Sequence, residues 1–108
     1  MIFEQRIYQC YPGRMPDLLR RFESIILPIW KRHGIRQAGF WTPLVGKSNL
    51  ELIYLLAWSS MSEREEKWGA FTKDPEWVDK REASEADGPI VASIQNSFLK
   101  STSFSSVK

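Results

Sequence analysis

The most hydrophobic stretch of the chain, Asn49–Ser59, is apolar on both sides of an extended backbone. Alternation divides its side chains between two faces, with Leu50, Leu52, Tyr54, Leu56 and Trp58 on one and Ile53, Leu55 and Ala57 on the other. A strand with one wet face would carry polar residues at every second position, and this stretch has none after Glu51. The pattern therefore predicts a central strand that is covered on both faces.

Three further segments have strand-like composition and end near turn-forming residues: Phe3–Tyr11, Arg36–Pro43 and Ile90–Leu99. The turn Leu44–Ser48 is short, so the second and third strands are expected to form an antiparallel hairpin.

Helical periodicity occurs over Met15–His33, where apolar residues recur at spacings of three and four and predict one broad buried face. This face comprises Met15, Leu18, Leu19, Phe22, Ile25, Ile26, Ile29, Trp30 and His33. Pro28 lies inside the pattern and is expected to kink the helix or loosen one turn. Gly34 is expected to end it in a left-handed conformation.

A second helical region is signalled by the capping-box pattern of Ser62–Glu65, with Trp68 and Phe71 on the buried side. Asp74–Pro75 predicts the start of a short further helix, with Asp as N-cap and Pro as first helical residue. The segment Lys80–Gly88 is charged and poor in apolar residues, so it is interpreted as a solvated helix end and loop.

The resulting order, β-α-β-β-α-β, predicts an α+β ferredoxin-like fold with an antiparallel four-stranded sheet in a single domain, residues 1–108. The first and third strands are central in that topology, and both helices cover the same face of the sheet. Because a bare apolar sheet face is unfavourable in water, we expect a second copy of the chain to cover the other face. A homodimer interface of roughly 1,200–2,000 Å² in total is expected.

Composition narrows the possible partners and the compartment. The net charge of +2 is too small to predict binding to nucleic acid or to an anionic membrane. No stretch is long and apolar enough to span a bilayer, and the chain opens directly into a strand-like pattern without a signal-peptide pattern. Cys10 is the only cysteine, which excludes an intrachain disulfide and favours a reducing compartment. We therefore expect a cytoplasmic protein.

His33 is the only histidine, so any mechanism that needs an imidazole depends on it. Its position at a helix end favours the interpretation that it complements the negative helix pole. A general base at a pocket mouth is the alternative, and haem ligation by His33 is a weaker one. With no other histidine and no cysteine cluster, we expect no metal site and no cofactor.

Two groups of strand residues are candidates for ligand binding. Glu4, Arg6 and Tyr8 share one face of the first strand, either as a buried ion pair with a tyrosine or as a receptor for an anionic or carbonyl-bearing ligand. The second group consists of Tyr54 and Trp58, which are bulky and have polar tips. We expect these two to face the side of the sheet without helices.

Together with Trp41, the aromatic pair Tyr54 and Trp58 would line an apolar cavity. Alternatively, these aromatic side chains pack in a dimer interface. Asn49 is a further ligand candidate, although Asn in a hairpin turn most often serves the turn itself. Cys10 is interpreted as a small buried hydrophobic residue, because no feature that would lower its pKa is visible.

The joint order and spacing of many residues resembles the NIPSNAP family of dimeric α+β barrel proteins over nearly the whole chain. The residues that carry the resemblance are Glu4, Arg6, Tyr8, Pro12-Gly13-Arg14, His33-Gly34, Gly39-Phe40-Trp41-Thr42, Gly46, Asn49, Leu56-Ala57-Trp58, Glu63-Arg64-Glu65, Trp68, Phe71, Asp74-Pro75-Glu76-Trp77 and Ser103-Phe104-Ser105.

The resemblance implies a homodimer with a cavity between or beneath paired sheets, and it implies no established reaction. Eukaryotic relatives have vesicular and mitochondrial roles, usually with an added targeting segment, and these roles do not carry over. The barrel architecture is shared with cofactor-independent monooxygenases, haem-degrading enzymes and small isomerases, which is weak evidence for function.

Three hypotheses follow. The first is a dimer that binds a small, largely apolar molecule. The second is a cofactor-independent monooxygenase or isomerase, with His33 or Tyr54 as proton acceptor and Arg6 as oxyanion partner. The third is a protein-interaction module that uses the dimer surface or the Ser-rich tail.

Overall fold

A four-stranded sheet carries all the helices on one of its faces, in a computed structural model that describes residues 1–108. The strands are β1 (Ile2–Cys10), β2 (Arg36–Trp41), β3 (Glu51–Trp58) and β4 (Val91–Lys100). The helices are α1 (Met15–Arg21), a π-helical turn (Phe22–Ile26), α2 (Leu27–His33), α3 (Met61–Thr72) and α4 (Pro75–Ser84). The predicted α+β ferredoxin-like architecture is confirmed. None of these helices has both the length and the apolar character needed to cross a lipid bilayer.

The sheet has the strand order β2-β3-β1-β4, so β1 and β3 are central, as predicted. Every pair is antiparallel, and β2 and β3 form the expected hairpin. Arg6 lies opposite Tyr54 on β3 and opposite Asn96 on β4. This register brings polar side chains from three strands together on the helix-bearing face.

The first helical region has the loosened turn that Pro28 predicts. Pro28 has no N–H, and the turn before it is π-helical, with the Leu27 N–H donating to the Phe22 carbonyl. The Ser24 hydroxyl donates to the Arg20 carbonyl over 2.6 Å, which satisfies an acceptor in the distorted region. The loosened turn therefore separates α1 from α2 without ending the helical path.

Four apolar residues of this region occur at four-residue spacing and are all buried: Leu18, Phe22, Ile26 and Trp30. In a regular α-helix, each step of four residues rotates the side-chain direction by about 40° around the helix axis, so residues at this spacing would gradually turn away from the sheet. Leu19 was predicted on the same buried face, but it is 41% exposed. The prediction for Leu19 is wrong because the buried stripe is narrower than the apolar pattern suggests.

The start of α3 also differs from the prediction. The N-cap is Ser60, whose hydroxyl accepts from the Glu63 N–H over 3.1 Å, while Glu63 accepts from the Ser59 N–H over 2.8 Å. The capping pattern therefore lies two residues before the predicted Ser62, since Met61 is already helical. Asp74 caps α4 as predicted, and its carboxylate accepts from the Glu76 N–H over 2.9 Å.

The expected orientation of β3 is wrong. Tyr54 and Trp58 lie on the helix-bearing face and are completely buried. Phe22 and Trp30 contact the Tyr54 ring, with centroid distances of 5.3 and 5.6 Å. The helices also carry large aromatic side chains, which widen the layer between the helices and the sheet. This layer therefore has room for Tyr54 and Trp58, the bulky side chains of β3. Ile53, which belongs to the aliphatic side, is half-buried on the opposite face.

Candidate functional site

A cavity of about 530 Å³ lies between the helices and the sheet. Five aromatic side chains border it: Tyr8, Trp30, Trp68, Phe71 and Trp77. Its charged lining consists of Arg6, Arg21, Arg81 and Glu85. The first residues of β4, including Ala92 and Ile94, complete the wall. Aromatic and apolar side chains together with a few charged groups are the usual composition of a small-molecule site.

The aromatic wall is continuous across α2, α3 and α4. Trp30 and Trp68 lie with ring centroids 6.0 Å apart, and Trp68 and Phe71 are 5.2 Å apart. Phe71 in turn stacks on Trp77 at 5.2 Å with an angle of 27° between the planes. Helix α3 supplies the middle of this wall because Trp68 and Phe71 are three residues apart and therefore share one side of the helix.

Arg6 forms the floor at the inner end of the cavity, where its residue is only 8% exposed. Its Nε donates to the Tyr54 hydroxyl over 2.8 Å, its Nη1 to Glu4 Oε2 over 3.0 Å, and its Nη2 to the Tyr8 hydroxyl over 3.3 Å. The guanidinium carbon also lies 4.6 Å from the centre of the Trp68 ring, a cation–π distance. These contacts fix the guanidinium against the aromatic wall.

Glu4 is the fully buried counter-ion behind this floor. Besides Arg6, it accepts from Arg64 Nε and Nη2, both at 3.2 Å, from Trp58 Nε1 at 3.1 Å and from Asn96 Nδ2 at 3.1 Å. Burial by itself raises the pKa of Glu4, but the hydrogen bonds from Arg64, Asn96 and Trp58 and the charge of Arg6 together lower it below its ordinary value. Glu4 is therefore a carboxylate at neutral pH.

Tyr54 lies behind the floor and accepts the hydrogen bond from Arg6 Nε. It is completely buried, and its hydroxyl donates to the Tyr8 hydroxyl over 2.9 Å. Burial, reinforced by Tyr8, raises the pKa of Tyr54 well above the ordinary value of a phenol, although Arg6 acts in the opposite direction. A neutral, buried phenol is poorly suited to accept a proton at neutral pH.

The outer end of the cavity holds a second charged group. Glu85 lies 3.1 Å from Arg21 Nη1 and 3.7 Å from Arg81 Nε. Arg21 Nη1 also donates to the Ser84 hydroxyl over 3.4 Å. Arg21 is buried, whereas the Arg81 side chain is 60% exposed, so this end opens to solvent along α4.

Two buried N–H donors of the cavity lining have no hydrogen-bond partner in the protein, namely Arg21 Nε and Trp30 Nε1. A buried donor without an acceptor costs roughly 1–3 kcal/mol. The wall therefore contains two N–H donors to which no protein acceptor is bonded.

The candidate residues from the sequence divide into three groups by position. Arg6 and Tyr8 line the cavity. Tyr54 and Trp58 lie on the same side of the sheet and support the floor, through the hydrogen bonds to Arg6 and Glu4, without bordering the cavity.

Trp41 and Asn49 lie away from this site. The Trp41 ring is 51% exposed and rests over Gly39, where an added Cβ atom would come within 2.5 Å of the ring. Asn49 is exposed in the loop before β3. Neither residue borders the cavity.

His33 is also outside the cavity. It ends α2, and its Nε2 lies 2.7 Å from Asp74 Oδ2, next to Arg32 Nη2 at 3.0 Å from the same oxygen. The hydrogen bond from His33, with those from Arg32 and the Glu76 N–H, outweighs desolvation and lowers the pKa of Asp74 to about 2. This cluster joins the end of α2 to the start of α4.

Cys10 is buried with a free thiol, and burial raises its pKa. This agrees with its interpretation as a small hydrophobic residue. No three His, Cys, Asp or Glu side chains are close enough together to hold a metal ion.

The sequence interpretation missed three charged residues of the lining. Arg81 and Glu85 were assigned to a solvated segment, yet they follow Trp77 at four-residue intervals and therefore share its side of the helix. Arg21 occurs three residues after the buried Leu18, on the apolar face of α1. In both places, the sequence feature that could have identified these residues is a charged residue at helical spacing from a buried apolar one.

Comparison with protein-family models gives a match over nearly the whole chain. A family model named NIPSNAP matches residues 3–106. A NIPSNAP family protein of unknown function from Agrobacterium tumefaciens is 26% identical, with 100% of this chain and 94% of that chain covered and a TM-score of 0.87. An uncharacterised NIPSNAP domain protein from Burkholderia xenovorans is 24% identical, with 97% and 98% covered and a TM-score of 0.84.

A more distant likeness concerns the fold alone. A mutant of MhuD, with two manganese protoporphyrin IX molecules bound per active site, is 15% identical, with 94% of both chains covered and a TM-score of 0.58. Among curated proteins, none matches this sequence. Since the family match spans nearly the whole chain, this protein belongs to the NIPSNAP family.

Proposed function

We propose that this protein binds a small, largely apolar, flat molecule in the cavity between the helices and the sheet. The observation that carries the proposal is the cavity itself, about 530 Å³ in volume and bordered by five aromatic rings. Small-molecule sites in proteins typically measure roughly 300–1,000 Å³ and are lined mainly by apolar and aromatic side chains. Covering such rings with a ligand is favourable by roughly 25 cal/mol for each Å² of apolar surface removed from water.

Binding without catalysis is favoured over the enzyme hypothesis by the positions of the proposed proton acceptors. His33 pairs with Asp74 outside the cavity, and Tyr54 is buried behind the floor with a raised pKa. Of the three candidate catalytic groups, only Arg6 borders the cavity. The distant MhuD mutant holds porphyrins, which supports the capacity of this fold to enclose flat ligands, by analogy only.

The binding experiment uses 2-naphthamide, a flat neutral aromatic, titrated into the full chain by isothermal titration calorimetry. Trp77→Ala removes one wall of the cavity and is expected to weaken binding by roughly tenfold, as expected for a lost aromatic contact with its buried area. Trp41→Ala, on the other side of the sheet, is the matched control and should bind as the unmodified protein does.

In the unmodified protein, the indole N–H signals of Trp68 and Trp77 should shift on addition of 2-naphthamide, while the Trp41 signal stays in place. The absence of saturable binding, or shifts confined to Trp41, would show that the cavity is not a ligand site.

We also propose that the protein is a homodimer through the sheet face without helices. The centre of this face is mainly apolar and only half-buried, with Ile7, Ile53 and Leu55 beside the polar Gln5. Its margin along β4 is polar, with Ser93, Gln95 and Ser97. An apolar centre with a polar rim is the usual composition of a protein–protein interface.

Analytical ultracentrifugation at micromolar concentration tests the dimer. Leu55→Arg places a charge at the centre of the face and should yield monomers, while Val78→Arg on the exposed side of α4 should leave the mass unchanged. A single subunit mass for the unmodified protein would refute the proposed interface.

A cytoplasmic location is part of the same proposal. Its support is Cys10, a free thiol enclosed in the core. Fractionation of the host cell, followed by immunodetection, tests it, and recovery from an oxidising compartment would contradict it.

A further inference from the structure

The positive charges bordering the cavity exceed the negative ones. At the inner end, the single carboxylate of Glu4 faces the guanidinium groups of Arg6 and Arg64, at 3.0 and 3.2 Å. At the outer end, the single carboxylate of Glu85 lies between Arg21 and Arg81. Each end therefore has one more guanidinium than carboxylate. At the outer end the Arg81 side chain is 60% exposed and reaches water, whereas at the inner end Arg6 is 8% exposed, and an unbalanced charge is costly where it is buried.

The hydrogen bonds at the floor have a direction that follows from burial. Tyr54 accepts the Arg6 Nε–H, so its own O–H must be donated elsewhere. Tyr54 is completely buried, and the Tyr8 oxygen at 2.9 Å is its acceptor. The opposite direction would leave the Tyr54 proton buried without a partner, at a cost of roughly 1–3 kcal/mol.

Tyr8 is therefore the end of the chain of hydrogen bonds. Its oxygen accepts from Tyr54 and from Arg6 Nη2, and its own O–H has no acceptor in the protein. Tyr8 lines the cavity and is 8% exposed, so this proton is available only to a molecule inside it. The charged guanidinium at the start of the chain polarises the two phenols and strengthens the last donor.

Arg6 adds further donors at the same place. A guanidinium has five N–H groups, and three of those of Arg6 are engaged, by Tyr54, Glu4 and Tyr8. The floor thus offers donors from Arg6 and from the Tyr8 hydroxyl. The partnerless N–H groups of Arg21 and Trp30 add to the positive potential of the same walls.

From this surplus of donors and charge we propose that the ligand of the cavity is a flat aromatic carboxylic acid, whose carboxylate accepts from the Tyr8 hydroxyl and Arg6 at the floor. The inference rests on the proposed function and specifies its ligand class. The ring system lies against the wall formed by the aromatic residues of α3 and α4, and the carboxylate supplies the acceptor that the floor lacks. A charged acceptor forms hydrogen bonds about twice as strong as a neutral one.

The experiment compares 2-naphthoate with 2-naphthamide, which have the same shape and differ in charge. Calorimetric titration of the full chain should give a dissociation constant roughly tenfold lower for 2-naphthoate. Tyr8→Phe keeps the ring and removes the donor, so it should weaken 2-naphthoate binding by roughly tenfold and 2-naphthamide binding by less. Tyr11→Phe, an exposed tyrosine just beyond β1, is the matched control and should change neither constant.

A measurement on the unmodified protein keeps the test decisive if Tyr8→Phe folds poorly. With tyrosines labelled by ¹³C at Cζ, 2-naphthoate should shift the Tyr8 signal and leave the Tyr11 signal unchanged.

The possible failures are distinguishable. If neither probe binds, the proposed function is wrong and the inference falls with it. If both bind equally well, the cavity is a ligand site but the carboxylate inference is overturned. Preference for 2-naphthoate without an effect at Tyr8 would place the carboxylate with Arg21 and Arg81, which also overturns the assignment to the floor.

Discussion

Replacement of Glu4 by Gln should destabilise the protein strongly, because it removes the counter-ion of Arg6 and Arg64 without changing the size of the side chain. Glu4 is completely buried and accepts five hydrogen bonds from four residues. The Gln amide nitrogen would face some of these donors with N–H groups of its own. Two guanidinium groups would then lie beside a neutral side chain.

The magnitude follows from the burial of the group. Breaking a buried ion pair from one side typically costs about 3–5 kcal/mol. The Arg64 side chain is 22% exposed, so water recovers part of the lost interaction, and the lower end of that range applies. At 4–8 °C per kcal/mol for a chain of this size, a loss of about 3 kcal/mol lowers the Tm by roughly 12 °C or more.

Dependence on pH separates the charge from simple packing. The pKa of Glu4 in the folded protein is lowered below its ordinary value of 4.5, so its contribution to stability is fully present above that pH. The contribution is lost as the pH falls through the folded-state pKa. The Tm difference between the unmodified protein and Glu4→Gln should therefore be constant near neutrality and shrink below about pH 4.5.

The assay is thermal unfolding followed by circular dichroism, with Glu65→Gln as control because Glu65 is exposed on α3. A Tm within about 3 °C of the unmodified protein, or a gap that stays constant into acid, would refute the argument. Arg64→Met combined with Glu4→Gln provides a double-mutant cycle, in which the coupling energy should exceed about 1 kcal/mol.

Three further predictions concern other parts of the molecule. Asp74→Asn should lower the Tm at neutral pH. The Tm difference should vanish as the pH falls from 3.8, the ordinary pKa of Asp, towards the folded-state pKa of about 2, because the Asp74 carboxylate becomes protonated in this range. A Tm difference that does not change with pH would contradict this. Cys10 should react with Ellman's reagent slowly in the native protein and rapidly in urea, and equal rates would contradict its burial. Leu18→Ala should cost about 2–5 kcal/mol in urea unfolding, whereas Leu19→Ala should cost less than about 1 kcal/mol, and similar values would contradict the narrow buried stripe.

The fold was predictable because each of its signals is local and strongly periodic. Alternation in β1 correctly assigns Glu4, Arg6 and Tyr8 to one face, since the period of two leaves no freedom within a strand. It could not identify Arg64 and Asn96 as partners of Glu4, because these lie 60 and 92 residues away in sequence. Contacts of that separation depend on the tertiary arrangement of elements.

The same periodicity could not predict which face of β3 meets the helices. Both of its faces are apolar, so periodicity does not distinguish the covered face from the exposed one. Side-chain volume decides which face of β3 meets the helices. The rings of Phe22, Trp30 and Tyr54 pack together between helix and sheet, and the sequence of neither segment alone shows this packing. The ligand candidates Trp41 and Trp58 were therefore expected around one chamber, and they lie on opposite sides of the sheet.

The π-helical turn has a consequence for comparing chains of different length. A π-type hydrogen bond spans one residue more than an α-type bond, so the turn at Phe22–Ile26 holds one residue that a regular helix of the same path would lack. Pro28 would clash with the fourth preceding carbonyl in a regular helix, at a cost of about 3 kcal/mol. The additional residue and the proline are thus expected to be gained or lost together, as a single-position gap in an alignment accompanied by a proline replacement.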